Sequence, residues 1–286
     1  MNRRTFIETS IGAAMMTGQP AWAAEDNRRI ERVGLQLYTV GGAMKEDFEG
    51  TLAKVAQTGY REVEFAGYFD HAPKEIRAML DRHGLTSPSE HVPYGTVDKK
   101  WPETLEAANI VGHKYVVCPS IDGAVLKQPD GWKRAAELFN HAGEASKKAG
   151  IQFAYHNHAG EFEPSEKLGG KMPYDFLLAE TDPKLVHMEM DLCWITVGGQ
   201  DPLAYFSRYP GRFPLVHVKD WKGGKGKMSE QSTKMRDVGE GDINWKRIFA
   251  QSGKAGIKHY FVEHDEPKAP FESIRASYEY LAKLTF

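Results

Sequence analysis

Eight short runs rich in β-branched and aromatic residues alternate with eight longer amphipathic runs, and this alternation restricts the available folds more than any other feature of the chain. The strand candidates are 33–40, 61–66, 86–92, 115–119, 151–158, 186–192, 213–220 and 258–264. Helical patterns cover 45–57, 73–83, 101–110, 131–148, 174–179, 202–209, 245–252 and 270–284. Gly59, Gly84, Gly112 and Gly150 each stand just past a helical run, where a helix C-cap favours glycine. Strands that are each followed by a helix must run parallel and be joined by right-handed crossovers. Eight such units in a chain of this length predict an α/β protein with a single-domain (β/α)8 barrel. An open dinucleotide-binding sheet would need a glycine-rich phosphate turn after the first strand, and Gly41-Gly42 is too little.

Composition narrows the function classes. With 37 basic and 39 acidic residues the net charge is −2, which offers no footprint for nucleic acid or an anionic membrane surface. Two cysteines, Cys118 and Cys193, make neither a disulfide framework nor a thiolate zinc site. No run of 18 apolar residues occurs, so no spanning helix is expected.

The first residues read as an address. Arg3-Arg4 precede a mildly apolar stretch of small residues, followed by Pro20 and the Ala21-Trp22-Ala23 site. This order describes a twin-arginine (Tat) signal over residues 1–23, cleaved after Ala23, with the barrel domain over 24–286. The expected location is therefore periplasmic or otherwise exported, with the Tat machinery as a partner.

In this barrel, chemistry belongs to the C-terminal strand ends. The fifth strand candidate ends Tyr155-His156-Asn157-His158, with His156 and His158 on one face. The sixth ends Glu189-Met190-Asp191, the seventh His217-Val218-Lys219-Asp220, and the eighth Glu263-His264-Asp265. Four neighbouring strands thus end in His156, Asp191, His217 and Glu263. Polar residues in strands are costly to bury unless they pair or ligate, and these types suit one divalent cation. Strand-end salt bridges are the alternative, but Asp191 and Glu263 would repel each other without a cation between them. Glu64 and His91 are expected to bind substrate at the rim. Trp194, Trp221 and Trp245 fall in loops, where Trp194 in particular offers a face for a sugar ring.

The chain resembles the sugar phosphate isomerase/epimerase superfamily, the xylose isomerase-like barrels, over nearly its whole length after the leader. The resemblance is carried by GLQLYTV (34–40), EVEFAGYF (62–69), AYHNHAGEFEP (154–164), MEMDLCWITVGGQDP (188–202), LVHVKDW (215–221), DVGEGDINW (237–245) and YFVEHDEP (260–267). It implies one divalent metal, Mn2+ before Zn2+, Co2+, Mg2+ or Fe2+, held by His156, Asp191, His217 and Glu263. Many relatives carry glutamate where this chain has His156, a departure that puts symmetric two-carboxylate epimerisation in doubt. The YHNH strand is more similar to the inosose-dehydratase and 3-keto-glycoside side of the superfamily.

Together these readings predict a metal-dependent isomerase, epimerase or lyase that works on a keto-sugar or sugar derivative through a metal-stabilised enediolate. His158 is the expected base, near its ordinary pKa of about 6.5. Lys219 is expected as electrostatic stabiliser or acid, and Glu263 as a further catalytic group. A non-catalytic exported sugar-binding protein on the same barrel is the alternative. A phosphodiesterase of the endonuclease type is disfavoured by the acidic balance. The stretch 221–242, which contains WKGGKGKMSEQSTKM, is expected to be a lid rather than a phosphate clamp.

Overall fold

The computed structural model describes residues 28–223 and 234–286. Residues 1–23, read above as an export signal, lie outside the described residues, as does the 224–233 part of the expected lid. The barrel strands are β1 (Val33–Gln36), β2 (Glu62–Phe65), β3 (Thr86–His91), β4 (Tyr115–Cys118), β5 (Gln152–His156), β6 (Val186–Asp191), β7 (Leu215–Val218) and β8 (His259–Val262). They close in sequence order, with β1 pairing β8, and every pair is parallel. The (β/α)8 expectation holds. Among the described residues no helix is long and apolar enough to cross a membrane.

Two apolar layers position the site. The larger cluster lies between strands and helices, with Val63, Phe65, Phe153, Met188, Met190 and Val262 facing outward onto the helices. A smaller one, Tyr115, Val117, Ala154, Leu215 and Phe261, sits on the faces that alternation turns inward. It plugs the barrel beneath His156 and His217, which share those faces. Gly34 makes room for this plug, since a Cβ there would come within 2.6 Å of the Phe261 ring.

The helices depart from the sequence reading at identifiable residues. The run 45–57 divides into Gly41–Glu46 and Phe48–Thr58, because the Asp47 side chain accepts from Gly50 N and caps a new helix. The run 245–252 breaks into Trp245–Phe249 and Ser252–Ala255. Helix Tyr94–Lys99 and helix Leu192–Val197, both unpredicted, follow β3 and β6. The second starts directly on Asp191, whose carboxylate caps it.

Candidate active site

The register aligns polar residues across neighbouring strands: Gln36 with Glu64, Glu64 with Ser89, His156 with Glu189, and Asp191 with His217. Just above the apolar plug lies a nest of imidazoles and carboxylates. Glu189 Oε2 lies 2.6 Å from His91 Nε2, 3.1 Å from His156 Nδ1 and 3.3 Å from His217 Nε2. Glu64 is fully buried, takes hydrogen bonds from Gln36 Nε2 and Ser89 Oγ, and lies 2.7 Å from His217 Nε2.

Burial raises the Glu64 pKa, but His91 and His217 outweigh it and hold the carboxyl down at about 2. Burial and the neighbouring Glu64 push Glu189 up to about 7. His156, buried among His217, His158 and His91, is held well below the usual histidine range, so its ring is neutral. Burial also acts to lower His217, yet Glu189 and Glu263 carry it well above that range.

Nearer the mouth, a second group forms around one ammonium. Lys219 Nζ stands 3.0 Å from Asp191 Oδ2, 2.5 Å from Glu263 Oε2 and 2.7 Å from Asp265 Oδ1. Against the penalty of burial, these three carboxylates raise the lysine pKa well above its ordinary value, which keeps it cationic. Electrostatics between Asp191 and Glu263 are thus already met by a side chain. The mutual repulsion of Asp191 and Glu263 therefore does not by itself require a metal.

The donor set nonetheless fits one. Asp191, His217 and Glu263 each offer an atom, all within 4.8 Å of one another. Asp191 Oδ1 accepts from the backbone N–H groups of Cys193 and Trp194, while Oδ2, buried, receives no hydrogen bond and has the Lys219 ammonium 3.0 Å away as its ionic partner. His217 has Glu64 behind Nε2 and Nδ1 toward Glu263, 2.9 Å away, the outer support that metal-ligating histidines commonly have. His156 Nε2 is 3.9 Å from Asp191 Oδ2. The nest below is a second group of donors, His91, His156, Glu189 and His217.

Above both groups opens a cavity of about 440 Å³, whose polar lining is His91, His156, His158, Lys219, Glu263 and Asp265. Tyr38, Ala66, Gly67, Pro93, Pro119 and Ser120 complete the lining. Tyr38, 60% exposed, stands at its edge. His158 reaches this cavity, but burial and Lys219 push its pKa down to about 4 rather than leaving it near 6.5. It is a neutral imidazole across the physiological range.

Two residues expected at the rim lie elsewhere. Glu64 is beneath the cavity floor and does not line it, because its strand position is one layer deeper than His91. Trp194 is buried in helix Leu192–Val197, with Lys219 Nζ 5.4 Å from its ring centre. Trp245 is also buried, and its indole N–H donates to Asp220. Glu189 and Asp265 share strand faces with Asp191 and with Glu263 at i, i+2 spacing, a placement legible in the sequence, but the histidines and the lysine they meet are set by the closed barrel.

The sequence pattern of the xylose isomerase-like TIM barrel family matches residues 52–284. The chain belongs to this family. Among proteins of known structure, a sugar phosphate isomerase/epimerase from Parabacteroides distasonis is 29% identical. It superposes with a TM-score of 0.75 over 93% of this chain and 99% of its own. The inosose dehydratase of Lacticaseibacillus casei is 26% identical over 269 residues, covering 82% of this chain and 88% of that enzyme. The IOLI protein with a bound zinc atom, 12% identical with a TM-score of 0.65 over 87% of this chain and 95% of its own, shares the fold. This xylose isomerase-like barrel is an enzyme, with its polar side chains gathered at the strand ends where such barrels work.

Proposed function

We propose that the protein is a divalent-metal-dependent enzyme acting on a keto-sugar or related polyol ketone, and that its reaction is the β-elimination of a dehydratase-type lyase. The observation that carries this reading is the convergence of Asp191, His217 and Glu263 directly under a cavity that also holds the neutral base His158. Asp191 Oδ2, His217 Nδ1 and Glu263 Oε2, with His156 alongside, would hold the cation. Bound there, it would supply Lewis acidity toward a substrate carbonyl and so acidify the adjacent C–H.

The chain's own residues do the rest. His158, unprotonated, takes that proton, and Lys219, held cationic, stabilises the negative charge that develops on the oxygen. His158 then passes the proton to a β-hydroxyl, whose Cβ–O bond breaks as the Cα–Cβ double bond forms, releasing water. Elimination is favoured over epimerisation because the β5 end brings His156 and His158 to the cavity and no carboxylate, so the two carboxylates that line it, Glu263 and Asp265, both come from the β8 end. The inosose dehydratase relatives support the same choice.

Isomerisation is the second reading, favoured by the P. distasonis relative, and would return the proton to carbon instead. We also propose that residues 1–23 direct export by the Tat route, on the strength of Arg3-Arg4 and Ala21-Trp22-Ala23. The deciding experiment incubates metal-loaded protein with inososes, ketohexoses and 3-keto-glycosides in heavy water. Appearance of a deuterium-labelled isomer or epimer of the substrate means isomerisation or epimerisation, and appearance of an unsaturated or dicarbonyl product means elimination. No exchange and no product across the panel defeats the proposal.

A further inference from the structure

The oxygens that suit a divalent cation are the ones Lys219 holds. Its Nζ lies 3.0 Å from Asp191 Oδ2 and 2.5 Å from Glu263 Oε2. These belong to two of the three residues whose donor atoms lie within 4.8 Å of one another. Two positive groups sharing both oxygens in a buried site would repel strongly, since little water is there to screen them. One of them must leave.

The lysine has somewhere to go. Asp265 Oδ1 is 2.7 Å from Nζ, and its side chain, 26% exposed, lies toward the cavity rather than under it. A lysine stem with four rotatable bonds reaches Asp265 without moving the backbone. The Trp194 ring, 5.4 Å from Nζ, adds a second surface favourable to an ammonium.

We propose that Lys219 is an exchangeable internal counter-ion. It competes with a divalent cation for Asp191 and Glu263, and Asp265 is the carboxylate to which its ammonium withdraws when the cation wins. Metal affinity is then set by the difference between three ion pairs and one, and loading the metal also aims the ammonium at the substrate cavity. Asp265 is a positioning residue in this scheme and acts only through Lys219. The inference rests on the reading of Asp191, His217 and Glu263 as the metal seat.

The test is Mn2+ titration of the whole chain, followed calorimetrically, in a double-mutant cycle of wild type, Lys219→Met, Asp265→Asn and the combined variant. Lys219→Met is expected to bind Mn2+ about tenfold or more tightly than wild type, and Asp265→Asn to bind it several-fold more weakly. In the combined variant the Asp265→Asn loss should vanish, because no ammonium remains to be rehoused. A loss of equal size in both backgrounds would mean that Asp265 acts only as a distant charge, and the proposal fails. It fails too if Lys219→Met binds no more tightly than wild type, although wild-type binding would leave the metal seat standing. Absence of Mn2+ binding in wild type and Lys219→Met alike would overturn the seat itself. Should the methionine variant not fold, Lys219→Gln takes its place in the same cycle.

Discussion

His156 and His158 are two residues apart on one strand face, yet their surroundings assign them different work. His156 is enclosed by His91, His158 and His217, with ring centres 5.2, 5.1 and 4.5 Å away, and points one nitrogen at Glu189 and the other toward Asp191. His158 lines the cavity, and its backbone N–H is held by Glu161 Oε2 at 3.0 Å. His156→Ala is therefore expected to weaken Mn2+ binding by about 10–100-fold, the range seen when support at a metal site is removed. His158→Ala should keep its metal and lose turnover by about 10²–10⁴, as for a general base. Metal content by elemental analysis beside steady-state rates distinguishes them, and metal loss confined to the His158 variant would mean that the roles are exchanged. The pair was readable from strand alternation alone. Their protonation was not, because the drop of His158 to about 4 comes from burial and from Lys219, which lies two strands away.

At the scale of elements, the device that organises the barrel's β7–β8 side is Asp220. It follows β7 and opens a two-residue antiparallel ladder, Asp220–Trp221 with Met235–Arg236. Its carboxylate Oδ1 accepts from Trp221 N at 2.9 Å and Ile243 N at 3.3 Å, and Oδ2 accepts from Gly239 N and Trp245 Nε1, both at 2.9 Å. One buried side chain thus ties the stretch leaving the barrel to the stretch returning to it. Asp220→Ala would leave the buried Trp245 indole N–H and three partly exposed backbone N–H groups without their acceptor, so we expect a destabilisation of about 1–3 kcal/mol. Urea unfolding measures it, and amide exchange across 236–245 should accelerate before the rest of the barrel opens. Stability unchanged within about 0.5 kcal/mol would show that these bonds carry no weight.

At the scale of the whole molecule, histidines buried in the neutral form add a pH dependence to stability. His113 is the clearest: it lies between Ser87 O and Tyr68 Oη at 2.8 Å each, and burial lowers its pKa to about 4. A folded-state value below the unfolded one of about 6.5 means that the unfolded chain takes up the proton first. The stabilisation is complete above pH of about 6.5 and is lost as pH falls toward 4, up to about 3 kcal/mol for this residue. Replacing it, as His113→Gln, should flatten the slope of unfolding free energy against pH across that window, and an unchanged slope would assign the effect elsewhere. At the same scale belongs export. Arg3→Lys with Arg4→Lys should leave precursor in the cytoplasm, and mature protein outside at normal levels would refute Tat dependence.

The alternation of strand and helix, the order of the eight strands and the identity of the strand-end residues are all properties of the sequence by itself. They depend on local periodicity, glycine punctuation and the rule that parallel neighbours need crossovers, and none of these needs distant contacts. Depth and pairing are different. Whether Glu64 reaches the substrate or props His217 depends on how far along its strand the barrel closes. Whether Asp191 and Glu263 repel or share a cation depends on Lys219 arriving between them from β7. Glu189 gathers its three histidines from β3, β5 and β7, up to 98 residues away from it in the chain. Such groups meet only when the sheet closes, and their charges acquire meaning only in the low-dielectric interior that closure creates.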